Sequence, residues 1–200
     1  MSLQNRVLPD GQIVTNPAHG MFMGNRGGRI HDPETRTLTN RRWASRQWII
    51  CVLDFKQRHR EVMGHSYTEL FFLDEVTALA AGHRPCFECR RYAALAFIAA
   101  HGKGLRAPNM DRLLHAERVI PDRNDTDPRA CPDGTMFASG GSYYAKRVGL
   151  LLAWTPGGYS RAVPLDEVPR VRPLTPATTI GILTAGYTPV WHPSAANFEH

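Results

Sequence analysis

Two hundred residues with a mass of 22.4 kDa make one large domain or two small ones, with enough chain to bury a core. Hydrophobic residues at 42% and charged residues at 21% exclude a disordered chain, and no apolar run approaches the roughly eighteen residues of a membrane-spanning helix. The net charge of +6 arises from 24 lysines and arginines against 18 acidic residues, and one window carries all of that excess.

The chain opens with a turn at Pro9-Asp10-Gly11, a short apolar stretch at Ile13 and Val14, and a glycine-rich loop from Gly24 to Arg29. The loop fits neither dinucleotide nor P-loop spacing, so it reads as a turn first and a phosphate cradle second. The basic window follows. Arg26, Arg29, Arg36, Arg41, Arg42, Arg46, Lys56, Arg58 and Arg60 stand there against Asp32, Glu34 and Asp54. Guanidinium forks suit phosphate oxygens, so Arg26, Arg29, Arg41, Arg42, Arg46, Arg58 and Arg60 form a candidate face for DNA or RNA. The competing reading places them on solvated strand faces.

Trp48 to Leu53 is β-rich and apolar throughout, the pattern of a buried strand, and Tyr67 to Leu73 is a second strand candidate. Asp74 is placed to cap a helix over Glu75–Ala81 that Gly82 closes. Further helices are expected from about Cys89 to Ala100, stopped by Gly102, and from Asp111 to Val119. Residues 121–134, rich in Asp, Pro and Arg, form the clearest boundary. Beyond them come strands around Thr135–Ala138, Ser142–Ala145 and Leu150–Thr155. A last helix begins at Pro176, with Thr175 as its cap, and ends at Gly186.

The expected fold is α+β, with short antiparallel strands, a few helices and two related halves, 1–120 and 121–200. Pro9-Asp10-Gly11 recurs as Pro132-Asp133-Gly134, and Ala81-Gly82-His83-Arg84-Pro85-Cys86 lies over Ala185-Gly186-Tyr187-Thr188-Pro189-Val190. Such turns and helix ends are also common punctuation. If the repeat is a duplication, the second half is a degenerate copy without the thiols.

Cys86-Phe87-Glu88-Cys89 is the strongest local motif. Two thiolates two residues apart can hold one Zn²⁺ while the chain turns between them. Cys51 is the best third ligand, from its place on a predicted strand. His59 and His65 compete for the fourth position, with Cys131 and His83 behind them. A redox dithiol and incidental buried thiols are the other readings. Four cysteines are too few for a disulfide scaffold, and the first residues lack the apolar run of a secretory leader. The expected compartment is therefore the reducing cytoplasm, with no membrane association.

The run from Phe71-Phe72 through Ala81-Gly82-His83-Arg84-Pro85-Cys86 to Cys89 resembles the metal-binding domain of the Ada DNA methyl-transfer repair proteins, and Trp48-Ile49-Ile50-Cys51 is similar to the strand carrying that family's first cysteine. The likeness spans about residues 48–89, a fifth of the chain. It implies zinc on Cys86 and Cys89, with Cys51 as third ligand. In that family the first cysteine accepts a methyl group from a DNA phosphotriester. The family's second cysteine falls here on Phe55, so a histidine would have to complete the set.

A rival reading uses Pro85-Cys86-Phe87-Glu88-Cys89 with His115-Ala116-Glu117, as in zinc deaminases: His115 with Cys86 and Cys89 on the ion and Glu117 moving the proton. The order is reversed relative to those enzymes. Glu69, Asp74 and Glu75 are further acid–base candidates, although capping explains Asp74 and the first helical turn explains Glu75. No nucleophile elbow or paired-carboxylate signature decides whether the chain is an enzyme.

Overall fold

The computed structural model describes residues 2–57, 61–118, 124–168 and 170–198. The architecture is α+β with two sheets. The first joins β1 (Gln4–Val7), β2 (Ile13–Thr15), β3 (Phe22–Arg26), β4 (Trp48–Cys51), β5 (Leu70–Phe72) and β6 (Arg84–Pro85) in the order β2-β1-β5-β3-β4-β6. Its pairs are antiparallel except β1 with β5 and β4 with β6. The second sheet is antiparallel throughout. It joins β7 (Met136–Ser139), β8 (Ser142–Arg147), β9 (Leu150–Thr155), β10 (Gly158–Pro164) and β11 (Arg172–Pro173) in the order β10-β9-β8-β7-β11. Among the described residues four α-helices complete the fold: α1 (Glu75–Ala80), α2 (Arg91–Ala100), α3 (Ala107–Arg118) and α4 (Ala177–Thr184).

Strand register sorts the side chains of the first sheet into two faces. Met23 pairs with Cys51 and with Phe71, and Asn25 pairs with Ile49, so these residues share one face. The alternating set, Phe22, Gly24 and Arg26 with Ile50, Trp48, Leu70 and Phe72, points the other way. On that second face Phe22, Ile50, Leu70 and Phe72 pack against Leu79 of α1, Phe97 of α2, Leu114 of α3 and Ile182 of α4. Helices thus cover one face of the sheet, and the face bearing Cys51 is left to build a pocket.

Helix α1 joins the two sheets, and all six of its residues are buried. Asp74 caps it, accepting from Thr77 N at 2.9 Å and Thr77 Oγ1 at 2.7 Å. The same carboxylate accepts from Tyr159 Oη at 2.8 Å and His192 N at 3.1 Å. Trp154 Nε1 donates to Thr77 Oγ1 at 2.9 Å, and Leu73, Val76 and Ala80 pack with Met136, Leu152 and Trp154. Helices α1 and α4 end alike. Gly82 at φ +82° and Gly186 at φ +98° let His83 N bond Ala78 O and Tyr187 N bond Ile182 O, a general helix stop that glycine makes easy.

Element limits differ from the sequence reading where polar groups found other partners. Helix α2 starts at Arg91 because Cys86–Arg90 is spent in a turn, with Arg90 N bonded to Cys86 O at 3.0 Å. Helix α3 begins earlier, at Ala107, with Pro108 in its first turn, where a missing N–H costs nothing. At α4 the cap residue is Pro176 and not Thr175. Thr175 Oγ1 instead accepts from Met136 N at 2.9 Å, and the Glu117 carboxylate accepts from Thr178 N at 3.0 Å.

Three phenols donate to carboxylates across the fold: Tyr143 to Asp10 at 2.6 Å, Tyr159 to Asp74 at 2.8 Å and Tyr187 to Glu75 at 2.6 Å. Burial first, and then the adjacent carboxylate, holds all three above the ordinary tyrosine range. A raised folded-state pKa means the stability these phenols lend is fully present below about pH 10 and is lost as pH climbs past it. Denaturant titrations between pH 8 and about 11 should show that loss, and Tyr159→Phe should make the decline shallower. A pH-independent midpoint over that span would contradict the assignment.

Candidate metal centre

Three cysteines from two segments meet at the open face of the first sheet. Strand β4 ends at Cys51, whose side chain follows Ile49 onto that face. Pro85 in β6 pairs with Ile50, and Cys86 N donates to Ile50 O at 2.9 Å, so the turn carrying Cys86 and Cys89 is bonded directly to the strand carrying Cys51. The Cys51, Cys86 and Cys89 sulfurs all lie within 4.8 Å of one another. Around a tetrahedral ion with metal–sulfur bonds of about 2.3 Å, sulfurs stand about 3.8 Å apart. The cluster fits such an ion, and no disulfide competes for its thiols. Thiol hydrogen bonds from Cys51 and Cys89 pull the Cys86 pKa down, and the reciprocal bond to Cys86 pushes Cys51 up. Three sulfurs this close share their protons unequally, and a cation bound there would take all three as thiolates.

Two buried ion pairs bracket the turn. Immediately before it, Arg84 makes a bidentate pair with Asp111 of α3, Nε to Oδ1 and Nη2 to Oδ2, both at 2.8 Å. Immediately after it, Arg90 makes a bidentate pair with Glu75, at 2.9 and 2.8 Å. Glu75 also accepts from Tyr187 Oη and from Val190 N. Charged pairs of this fork geometry fix orientation, so both ends of the Cys86–Cys89 turn are tied to helices rather than left to loop motion.

The three cysteines line a cavity of about 340 Å³, walled by Asn25, Ile49, Phe55, Tyr67, Glu69 and Phe71 among others. Glu69 is 1% exposed. Its Oε2 accepts from Met63 N at 2.8 Å, and its Oε1 has no hydrogen-bond partner among the described residues. A buried carboxylate oxygen left open is costly unless a cation or proton meets it. Of the acid–base candidates named from the sequence, Glu69 is therefore the one in the thiol cavity, while Asp74 ties α1 to β10 through Tyr159 and Glu75 ties it to Arg90, Tyr187 and Val190.

The other candidate ligands among the described residues lie elsewhere. His65 is exposed and outside the sulfur cluster, with its carbonyl accepting from Arg29 Nη1 at 3.2 Å. His59, Arg58 and Arg60 lie outside the described residues. His83 is fully buried on the helix-covered face, its ring 4.7 Å from Phe72 and 5.0 Å from Trp48. Burial, then Arg26 and Arg118, keep it neutral. Cys131 lies far along the chain beside β7, its carbonyl accepting from Lys146 Nζ.

The deaminase-like grouping is not assembled. His115 stands edge-on to Trp43 at 5.2 Å, and Glu117 serves the start of α4. Both belong to α3, whose Met110 and Leu114 pack into the helix-side core, so the sheet separates them from the thiols.

The arginine face is divided. Arg29, Arg41, Arg42 and Arg46 are exposed, and Trp43 stands among the last three, 39% exposed. Arg26 departs from the expectation of a solvated phosphate contact: strand alternation turns it onto the helix-covered face, where it is 3% exposed. The glycine-rich loop is a close-packed turn. A Cβ on Gly27 would meet Ser45 Oγ at 1.9 Å.

A scan of the chain against protein-family models gives no match, and searches of curated proteins and of solved structures give none either.

Proposed function

We propose that this chain is a zinc-binding protein whose ion is held by Cys51, Cys86 and Cys89, and whose exposed arginines associate with DNA or RNA. The observation that carries the metal reading is the convergence of three sulfurs, from a strand and from a separate turn, within 4.8 Å. An all-sulfur donor set suits a soft or borderline cation, and zinc is the common choice for a tetrahedral thiolate site. The likeness of residues 71–89 to the Ada metal-binding domain supports the same ion, and a reduced thiol cluster suits the cytoplasm. Among the described residues no helix is long and apolar enough to cross a membrane.

A bound zinc would hold the three thiolates and tie the end of β4 to the turn before α2. Three protein ligands leave one position of a tetrahedral set, and the cavity that the cysteines line is where a fourth donor would come from. Glu69 lines that cavity with an open oxygen but stands outside the sulfur cluster, so it would have to move toward the ion to serve as that donor. The nucleic-acid reading is supported by the loop from Arg41 to Arg46, where three exposed arginines surround an exposed tryptophan; cations on phosphate and an aromatic ring on a base are the usual combination.

Zinc content per chain tests the first part. Protein purified without added metal should carry one zinc in the wild type and in His115→Ala, and substantially less in Cys51→Ser and Cys86→Ser. A metal-free wild type, or full occupancy in Cys51→Ser, would refute the site. Loss of zinc in Glu69→Gln would make Glu69 the fourth ligand. For the second part, oligonucleotide affinity should fall steeply with salt, and Arg41→Ala with Arg42→Ala should lower the salt slope by about 1 each. Salt-insensitive binding would remove nucleic acid and leave zinc standing.

A further inference from the structure

The helix-covered face of the first sheet holds a second recess, of about 400 Å³, at the opposite end of β4 from the thiols. Its walls include Asp10, Arg26, Arg42, Trp48, Arg118 and Arg172. Four guanidinium groups face one carboxylate there, and that carboxylate is engaged: Asp10 accepts from Gln12 N, Gln12 Nε2 and Tyr143 Oη.

Arg26, which is buried, and Arg118, which is half-buried, have no acidic partner among the described residues. Arg26 Nη2 donates to Gly11 O at 2.7 Å, and its Nε, buried, has no partner among the described residues. Arg118 Nε donates to Gly82 O at 2.8 Å and its Nη1 to Arg46 O at 3.0 Å. Among the described residues neither forms a carboxylate pair. Asp111 and Glu117, the acids closest to Arg118 in charge, are held by Arg84 and Thr178. Both guanidiniums lie on the Trp48 ring, at 4.1 and 4.3 Å from its centroid, which softens the burial of charge without neutralising it. Burial, then Arg118 and Arg42, press the Arg26 pKa down to about 9, and burial brings Arg118 to about 9. Both still carry charge at neutral pH.

A buried cation at Arg26 with no acidic partner, a half-buried one at Arg118, an exposed one at Arg42 and an open recess between them make a cost that an anion would remove. We infer that this recess binds a phosphate group, with Arg26 and Arg118 at its floor and Arg42 at its mouth. Planar donor forks from several directions favour a phosphate over a spherical halide. The phosphate can be the terminal monoester of a nucleotide or oligonucleotide, or a diester of its backbone. The site goes beyond the zinc reading and does not need the metal, because its donors lie across the sheet from the cysteines.

The test is thermal unfolding of the full chain in inorganic phosphate and in pyrophosphate, against chloride at matched ionic strength, with direct titration of each anion. Phosphate should raise the unfolding temperature of the wild type and equally that of Cys51→Ser. Arg42→Ala and Arg118→Gln should each weaken the anion by about tenfold. Matched oligonucleotides with and without a 5′-phosphate identify the source: tighter binding of the phosphorylated one assigns a monoester, and equal competition with inorganic phosphate by both assigns the backbone. The inference is overturned if phosphate stabilises no more than chloride, or if both arginine variants respond as the wild type does. Phosphate binding retained in zinc-free protein separates a failure of the metal reading from a failure of this one.

Discussion

Asp111→Ala is expected to destabilise the fold by about 3–5 kcal/mol, the usual cost of stranding one member of a buried ion pair. Arg84 is 2% exposed and Asp111 7%, and among the described residues the alanine would leave the guanidinium with the Pro85 carbonyl, at 3.1 Å, as its one hydrogen-bond acceptor and the Phe87 ring beside it. The loss would reach the thiol cluster, because Arg84 and Pro85 are β6 and Cys86 follows directly. Urea unfolding should show the lowered midpoint, and zinc content should fall although no ligand has changed. Asp111→Asn, which keeps the shape and an acceptor, should lie between alanine and wild type. A midpoint shift below about 1 kcal/mol for the alanine variant would mean that Arg84 finds water or another acceptor.

Gly24→Ala should cost about 3 kcal/mol by a different route. Gly24 is in β3, between β4 and β5, and a Cβ there would stand 2.1 Å from Ile49 O and 2.9 Å from Phe72 Cε2. The first contact is backbone and cannot rotate away, so β3 and β4 must part where they pair Gly24 with Ile50. Since Cys51 is the next residue of β4, the variant should lose both stability and zinc. Wild-type stability would show that the sheet yields more easily than a hydrogen-bonded ladder should.

The elements that carry chemistry were legible in the sequence where one local rule decided them. Trp48–Ile50 is apolar on both faces and folds as a strand; Asp74 and Gly82 bound α1 as cap and stop. The Cys-x-x-Cys spacing, with Cys51 on a strand, pointed to three residues that do converge. What was not legible depends on which face of a sheet a residue takes. Arg26 reads as one more surface cation until its pairing with Trp48 turns it inward. Glu69 stood among three acidic candidates, and only its place on the thiol side of the sheet separates it from Asp74 and Glu75. Arg118 carries no local signal: a basic residue in the last turn of a helix is ordinary, and its position over Trp48 is a tertiary fact. His115 and Glu117 matched a motif in composition, yet α3 lies on the wrong side of the sheet.

Strand β4 is only four residues long, with Trp48 at its start and Cys51 at its end, and it is hydrogen-bonded on both flanks, to β3 and to β6. Binding at two sites is coupled only through an element that has two arrangements for both ligands to bias, and any such coupling is reciprocal. A short strand hydrogen-bonded to both neighbours has little freedom to take a second arrangement. It therefore acts as a partition rather than a lever, and the sulfur site and the guanidinium recess should fill as independent events, each with an affinity indifferent to whether the other is loaded.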